Sequence, residues 1–146
     1  MADIRKKEIG GREYQILIPS ARKSMKLAEK ASLIMGPLIV PLFKDAKQGM
    51  SNFSAALMGA DSEAVDTLLM SAASTSNLSF EGKNIADTES AFDIFFHDKR
   101  KDVFPVLTWC LWENIKDFLP DLEAYVQIIK ARFGTMETGL KSQENG

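Results

Sequence analysis

The side chains capable of catalysis or metal binding are few in this 146-residue chain. Asp93 and His97 stand four residues apart, so on a helix they would share one face and could supply two metal ligands. Two ligands are too few for a metal site, and a surface histidine at a helix end is the commoner outcome. We therefore expect no metal and no cofactor. A small enzyme that uses His97 with Asp93 stays open as an alternative.

Cys110 is the single cysteine, and it lies beside an apolar helix face. This position favours a small core side chain over a nucleophile, since no histidine lies near it in the sequence. The chain also lacks phosphate-binding loops, nucleophile elbows and paired-cysteine motifs, and the Gly10-Gly11 pair has no third glycine followed by a helix. The sequence therefore predicts a protein that is not an enzyme.

Cysteine content and hydropathy favour a reducing compartment without a membrane anchor. One cysteine cannot form an intramolecular disulfide framework. The start, Met1 to Lys7, lacks the apolar stretch of a signal peptide. The longest apolar run, Leu33 to Phe43, contains one glycine and two prolines and is far shorter than the ~20 residues that span a bilayer. We expect no membrane partner.

Charge is distributed unevenly along the chain. Residues 1–47 hold ten Lys and Arg against five Asp and Glu, residues 48–98 hold one against eight, and residues 99–146 hold seven against seven. An acidic pI near 5.5 argues against nucleic-acid binding. The partition is consistent with solvated helix faces. It also suggests that the basic start of one copy contacts the acidic middle of another, which would build a ring or a stack.

Turn and capping signals place the first elements. Gly10-Gly11 separates two arms with strand character, residues 4–9 and 12–18, and predicts a hairpin with Tyr14, Ile16 and Ile18 on one face. Ser20 is placed to cap a helix from Ala21 to Met35. Further helices are predicted over about 41–58 and, after Asp61, over 62–73. Residues 78–85 contain a Gly-centred turn that could join two short strands.

The C-terminal half holds most of the aromatic side chains and should anchor the core. A helix over 102–119 would gather six apolar side chains on one side, namely Val103, Phe104, Leu107, Leu111, Ile115 and Phe118. Asn114 falls within that side, and we expect its amide to bind the backbone of a neighbouring loop. Trp109 lies opposite, where it either packs under another segment such as 124–133 or anchors a partner.

These elements predict a mainly α fold with a small β component. An N-terminal β-hairpin (3–18) would be followed by a bundle of about five helices (20–133), forming a single globular domain over 1–133. Residues 134–146 contain few apolar side chains and read as a flexible tail.

Several segments, taken in order, resemble the small tail assembly chaperones of tailed bacteriophages over most of residues 10–122. The segments are Gly10-Gly11-Arg12-Glu13-Tyr14, Ile18-Pro19-Ser20-Ala21-Arg22, Met35-Gly36-Pro37, Ser79-Phe80-Glu81-Gly82-Lys83, Ala91-Phe92-Asp93-Ile94-Phe95-Phe96 and Trp112-Glu113-Asn114-Ile115-Lys116-Asp117-Phe118. The resemblance implies a host-cytoplasmic assembly factor that coats the hydrophobic, helical tape-measure protein before tail-tube subunits polymerise around it.

A chaperone of this kind needs apolar surface that adapts to many stretches of its partner, and methionines on small-residue helix faces supply it. The predicted partner-binding residues are Met25, Ala28, Met35, Met58, Met70 and Trp109. For each of them a place in the core is the alternative. A structural tail completion or connector protein, present in the virion, is the alternative function.

Overall fold

The computed structural model describes residues 3–35, 49–118 and 131. Its elements follow one another as β1 (Asp3–Ile9), β2 (Arg12–Ile18), α1 (Ala21–Met35), α2 (Gly49–Met58), α3 (Ser62–Thr75), β3 (Ser79–Phe80), β4 (Lys83–Asn84), α4 (Glu89–Phe96), α5 (Arg100–Ile115) and a 3-10 helix (Lys116–Phe118). The prediction of a mainly helical protein with a small β component is confirmed.

The four strands form one antiparallel sheet in the order β1-β2-β3-β4. Gly10 and Gly11 have φ angles of 60° and 80°, and this pair of positive angles is the conformation that a two-residue hairpin turn requires. Glu81 and Gly82 join β3 to β4 in the same way. Both predicted hairpins are therefore confirmed, and Tyr14 pairs with Phe80 to connect them.

Local capping signals placed the helix starts correctly. The Ser20 hydroxyl accepts a hydrogen bond from the Lys23 amide at 3.4 Å, and the Asp61 carboxylate accepts one from the Ala64 amide at 3.1 Å. Of the helix predicted over 41–58, the structure shows Gly49–Met58, and residues 41–48 lie outside the described residues. The predicted segment 124–133 lies almost wholly, and the tail 134–146 entirely, outside them.

The buried side of α1 includes Ala28 and Met35 but leaves out Met25. Leu27 and Ser24 are buried, whereas Met25 faces solvent with 44% of its surface exposed. This helix packs against both α3 and α5. Ser24 can be buried because its hydroxyl donates a hydrogen bond to Asn114 on α5.

Helix α5 is the centre of the fold, and the prediction of a one-sided apolar face for it is wrong. All six residues from Val106 to Leu111 are buried, including Trp109, which is 2% exposed. Val103 and Phe104 on the predicted inner side are only half-buried. Helices α1 to α4 and strands β1 and β2 all contact α5. The central part of α5, from Val103 to Trp112, is apolar on all sides except at Thr108, and the single-stripe pattern applies to surface helices.

Candidate functional site

The first turn of α5 is tied to the β-hairpin by a buried carboxylate. Asp102 accepts hydrogen bonds from the Tyr14 hydroxyl at 2.7 Å and from Arg12 Nη1 at 3.0 Å. Burial, together with the hydrogen bond to Asp102, raises the pKa of Tyr14. A Cβ at position 10 would collide with the Asp102 carboxylate, so Gly10 is needed for close packing as well as for the turn. The Asp102 carboxylate therefore fixes the hairpin against the start of α5.

A second buried network lies near the other end of α5. The Asn114 amide oxygen accepts from the Ser24 hydroxyl at 3.0 Å, and its nitrogen donates to the Ser76 hydroxyl and the Cys110 carbonyl, each at 2.7 Å. The prediction that the Asn114 amide binds the backbone of a loop is therefore wrong, since two of its three partners are side chains. The Ser76 carbonyl in turn accepts from the Leu17 amide at 2.8 Å. This network joins α1, α3, α5 and the sheet.

His97 and Cys110 lie in different surroundings, one on the surface and the other in the core. His97 follows α4 on the surface, as predicted for a helix-end histidine, and Asp93 is also exposed. Cys110 is fully buried, and burial raises the pKa of its thiol, which suppresses the thiolate. Within residues 3–35 and 49–118, no three His, Cys, Asp or Glu side chains are close enough to hold a metal ion.

The outward face of α3 offers a different kind of surface. Thr67, Ser71 and Ser74 follow one another along it at helical spacing, and Thr67 and Ser74 are exposed. We call these three residues the α3 ridge. Small side chains at these positions let another element approach the helix backbone closely. Grooves lie on both sides of the ridge, and each is lined partly by ridge residues.

The first groove, which we call the apolar groove, lies between the end of α1 and the start of α3. It has a volume of about 520 Å³. Its apolar lining consists of Leu33, Ile34, Ala64 and Leu68. Leu33 is 59% exposed, although an isolated leucine of this size usually gains stability from burial. Lys30, Asp61 and Glu63 also line the groove and keep its edge polar.

The second groove, which we call the acidic groove, lies between α3 and the segment 86–93. Its volume is about 540 Å³. Met70, Phe92, Val103 and Leu107 provide its apolar lining. Four exposed carboxylates surround that lining, namely Asp66, Asp87, Glu89 and Asp93. The groove therefore combines an apolar floor with a strongly negative edge.

The third groove, which we call the lysine groove, continues the apolar groove along α1 and α3. It holds about 380 Å³, and Lys23, Lys26 and Lys30 line its α1 side. Ser71 and Ser74 line both this groove and the acidic groove, so opposite charges lie side by side across the ridge. Ion pairs among the described residues involve β1, Arg12 and the start and end of α5, and none uses these three lysines or the four carboxylates.

The six residues predicted to bind a partner are divided between surface and core. Met25 and Met58 are 44% and 77% exposed, and half-buried Met70 lies in the acidic groove. Ala28, Met35 and Trp109 are buried in the core, which is the alternative that the sequence left open for each of them. Sequence reasoning missed Leu33, and the available signal was an apolar side chain among the lysines of the outer face of α1.

No helix in the described ranges has both the length and the apolar character needed to cross a bilayer. Residues 10–126 match the sequence model of a protein family described as "Phage tail assembly chaperone protein, TAC". Neither the curated proteins nor the solved structures yield a match to the chain. The matched range covers β2, every described helix and the turn of the first hairpin.

Proposed function

The chain belongs to the phage tail assembly chaperone family, and from this membership we propose that it binds the tape-measure protein and keeps it soluble before the tail tube polymerises. A tape-measure protein is expected to be long and helical and to expose apolar side chains until the tube encloses it. A chaperone for such a partner needs an open apolar groove rather than a closed pocket. We further propose that it acts in the host cytoplasm, as an assembly factor without catalytic activity or cofactor.

The observation that carries this proposal is the apolar groove with its exposed leucine. A helix laid into a groove is held by apolar side chains at spacings of three and four residues. Leu33, Ile34 and Leu68 offer contacts of this type in a cleft already open to solvent. Met58, which is 77% exposed, lies three residues before Asp61, a lining residue of the groove. A flexible methionine at its edge would allow contact with varied sequences.

We also propose that the chain forms a homo-oligomer through its basic start and acidic middle. Each groove offers only a small apolar area, so a single contact with the tape-measure protein would be weak. Several linked grooves acting on one long partner would bind it far more tightly through effective concentration.

Co-expression tests the proposal. The tape-measure protein encoded with this chain should appear in the soluble fraction when the two are made together and in the pellet when it is made alone. Equal solubility in both cases would contradict the proposal. Mass spectrometry of purified virions distinguishes a chaperone from a structural connector protein. A connector would be present in fixed copy number, and a chaperone would be missing.

A matched pair of variants locates the contact. Leu33→Asp places a charge in the apolar groove, whereas Ile94→Asp places one at an even more exposed residue, 77%, that does not line any of the three grooves. Leu33→Asp should weaken binding of the tape-measure protein at least about tenfold, corresponding to ~1.4 kcal/mol, and should lower its soluble yield. Ile94→Asp should leave it unchanged. A loss of soluble tape-measure protein with Ile94→Asp but not with Leu33→Asp would show that the apolar groove is not the contact site.

A further inference from the structure

The acidic and lysine grooves lie on the same face of the molecule, and their charges are complementary. The lysine groove presents Lys23, Lys26 and Lys30, and the acidic groove presents its four carboxylates. Since Ser71 and Ser74 line both, the two charged strips are separated only by the α3 ridge. In a symmetric pair of copies, the lysine strip of the first copy can lie against the carboxylate strip of the second. The lysine strip of the second copy then lies against the carboxylate strip of the first.

We propose that two copies of the chain pair face to face across the α3 ridge, related by a two-fold axis that runs close to the direction of α3. This proposal specifies the self-association proposed above. A rotation about that axis exchanges the two sides of the ridge, so the lysines of each copy meet the carboxylates of the other. A two-fold axis across α3 would instead set carboxylate against carboxylate, which is unfavourable.

The ridge allows the close approach that this pairing needs. Thr67, Ser71 and Ser74 are small, so two α3 helices can pack at the short end of the usual 8–10 Å range of helix separations. The apolar side chains beneath the carboxylates, among them Met70 and Phe92, would lose contact with water at the same time. The seven charged groups form no ion pair within the described part of one copy, so no internal bridge has to break first.

The pairing leaves the apolar groove accessible. Ala64, in that groove, and Ser74 are separated by about 15 Å along the helix, at 1.5 Å per residue. If the two-fold axis is inclined by about 25° to each α3, the two helices cross near Ser74 at the common angle of about 50° and diverge by roughly 12 Å over that length. Leu33 and Ile34 therefore stay open to a tape-measure segment in each copy.

Light scattering on the full chain without any partner tests the pairing. At low salt the mass should reach a plateau at twice the 16.2 kDa chain mass and fall toward 16.2 kDa at high salt. A chain that is monomeric at low salt would overturn the proposal. A mass that continues to grow with concentration would also overturn it, because a ring or stack uses a head-to-tail contact.

Charge reversal gives the matched variants. Lys26→Glu with Lys30→Glu should yield monomers, and so should Asp66→Lys with Asp93→Lys, while an equal mixture of the two proteins should yield dimers again. Lys6→Glu with Lys7→Glu makes the same charge change on β1, away from the grooves, and should keep the dimer. A mixture that stays monomeric would contradict the pairing, as would loss of the dimer in the β1 variant.

A cysteine on the ridge tests the symmetry. On mild oxidation, Ser74→Cys should form a disulfide between two copies, because a residue beside a two-fold axis faces its own counterpart. Ser51→Cys, exposed on α2, should not. Native Cys110 is buried and does not compete. Absence of the Ser74→Cys dimer would overturn the two-fold arrangement and would leave the tape-measure proposal intact, since this test contains no tape-measure protein.

Discussion

The surroundings of α5 and the outward face of α3 use polar residues in opposite ways. At α5, Asp102 and Asn114 are almost completely buried, and each binds partners from other elements. On the α3 face, lysines line one groove and carboxylates line the groove on the other side of the α3 ridge. These groups form no ion pairs among the described residues. Polar groups at α5 specify how the elements pack, while those on α3 are available to a second molecule.

This difference separates stability from recognition. Loss of a buried partner leaves another polar group unsatisfied, and the cost appears in folding. Reversal of an exposed, unpaired charge changes folding little and changes binding instead. Variants around α5 should therefore alter the free energy of unfolding, and variants on the α3 face should alter assembly.

The largest expected effect is at Asp102. Asp102→Ala removes the buried acceptor of Tyr14 and Arg12 and should lower the free energy of unfolding by roughly 3–5 kcal/mol. Urea denaturation followed by circular dichroism measures the change. Asp98→Ala removes an exposed carboxylate whose ion pair within the described ranges is with its neighbour Lys99, and it should leave the midpoint unchanged. Equal losses of stability from the two substitutions would contradict the proposed difference between buried and exposed carboxylates.

Gly10 gives a smaller effect with a close internal control. Gly10→Ala combines a positive φ angle with a collision against Asp102, and it should destabilise the protein by roughly 2–3 kcal/mol. Gly11→Ala has a similar positive φ angle but meets no atom within 4 Å, so only the conformational cost, about 1 kcal/mol, applies. Thermal melts of both variants measure the difference. Equal losses of stability would contradict close packing of Gly10 against Asp102.

Asn114 tests the network that joins α1 and α3 to α5. Asn114→Ala leaves the hydroxyls of Ser24 and Ser76 without this partner and should cost about 2 kcal/mol. Ser32→Ala serves as a control, because among the described residues that hydroxyl donates to the Ala28 carbonyl within its own helix and joins no other element. If chemical denaturation gave the same loss for both, the cross-element network would have no special role in stability.

Thr108 should produce the smallest effect, with the opposite sign. Its buried hydroxyl is the side-chain polar atom without a hydrogen-bond partner in the described ranges. Thr108→Val replaces that hydroxyl by a methyl group of similar size and should raise the free energy of unfolding by about 1 kcal/mol. A loss of stability in calorimetry would show that the hydroxyl has a partner after all.

The sequence predicted those parts of the fold that local chemistry determines. Gly10-Gly11, Ser20 and Asp61 act on neighbouring backbone, so both hairpins and the starts of α1 and α3 could be located from spacing alone. The orientation of α5 could not be located in this way, because its burial depends on six other elements that contact it. The sequence indicates that Asn114 is a buried amide, but its two side-chain partners lie 38 and 90 residues away in the chain.

The candidate surface was predicted only in part. Methionine content pointed to Met25, Met58 and Met70, which lie on or near the surface, but it pointed equally to Met35, which fills the core. The uneven charge along the chain anticipated two oppositely charged regions. Their placement on either side of one helix is a tertiary property, and a linear count of charges contains no information about it.

The apolar groove is the surface proposed to contact the tape-measure protein, and site-specific photo-cross-linking can detect this contact. A photoreactive phenylalanine analogue replaces Leu33 or Ile94 in the full chain during co-expression with the tape-measure protein. We expect a covalent adduct with that protein from position 33 and none from position 94. An adduct from position 94 with none from position 33 would contradict it.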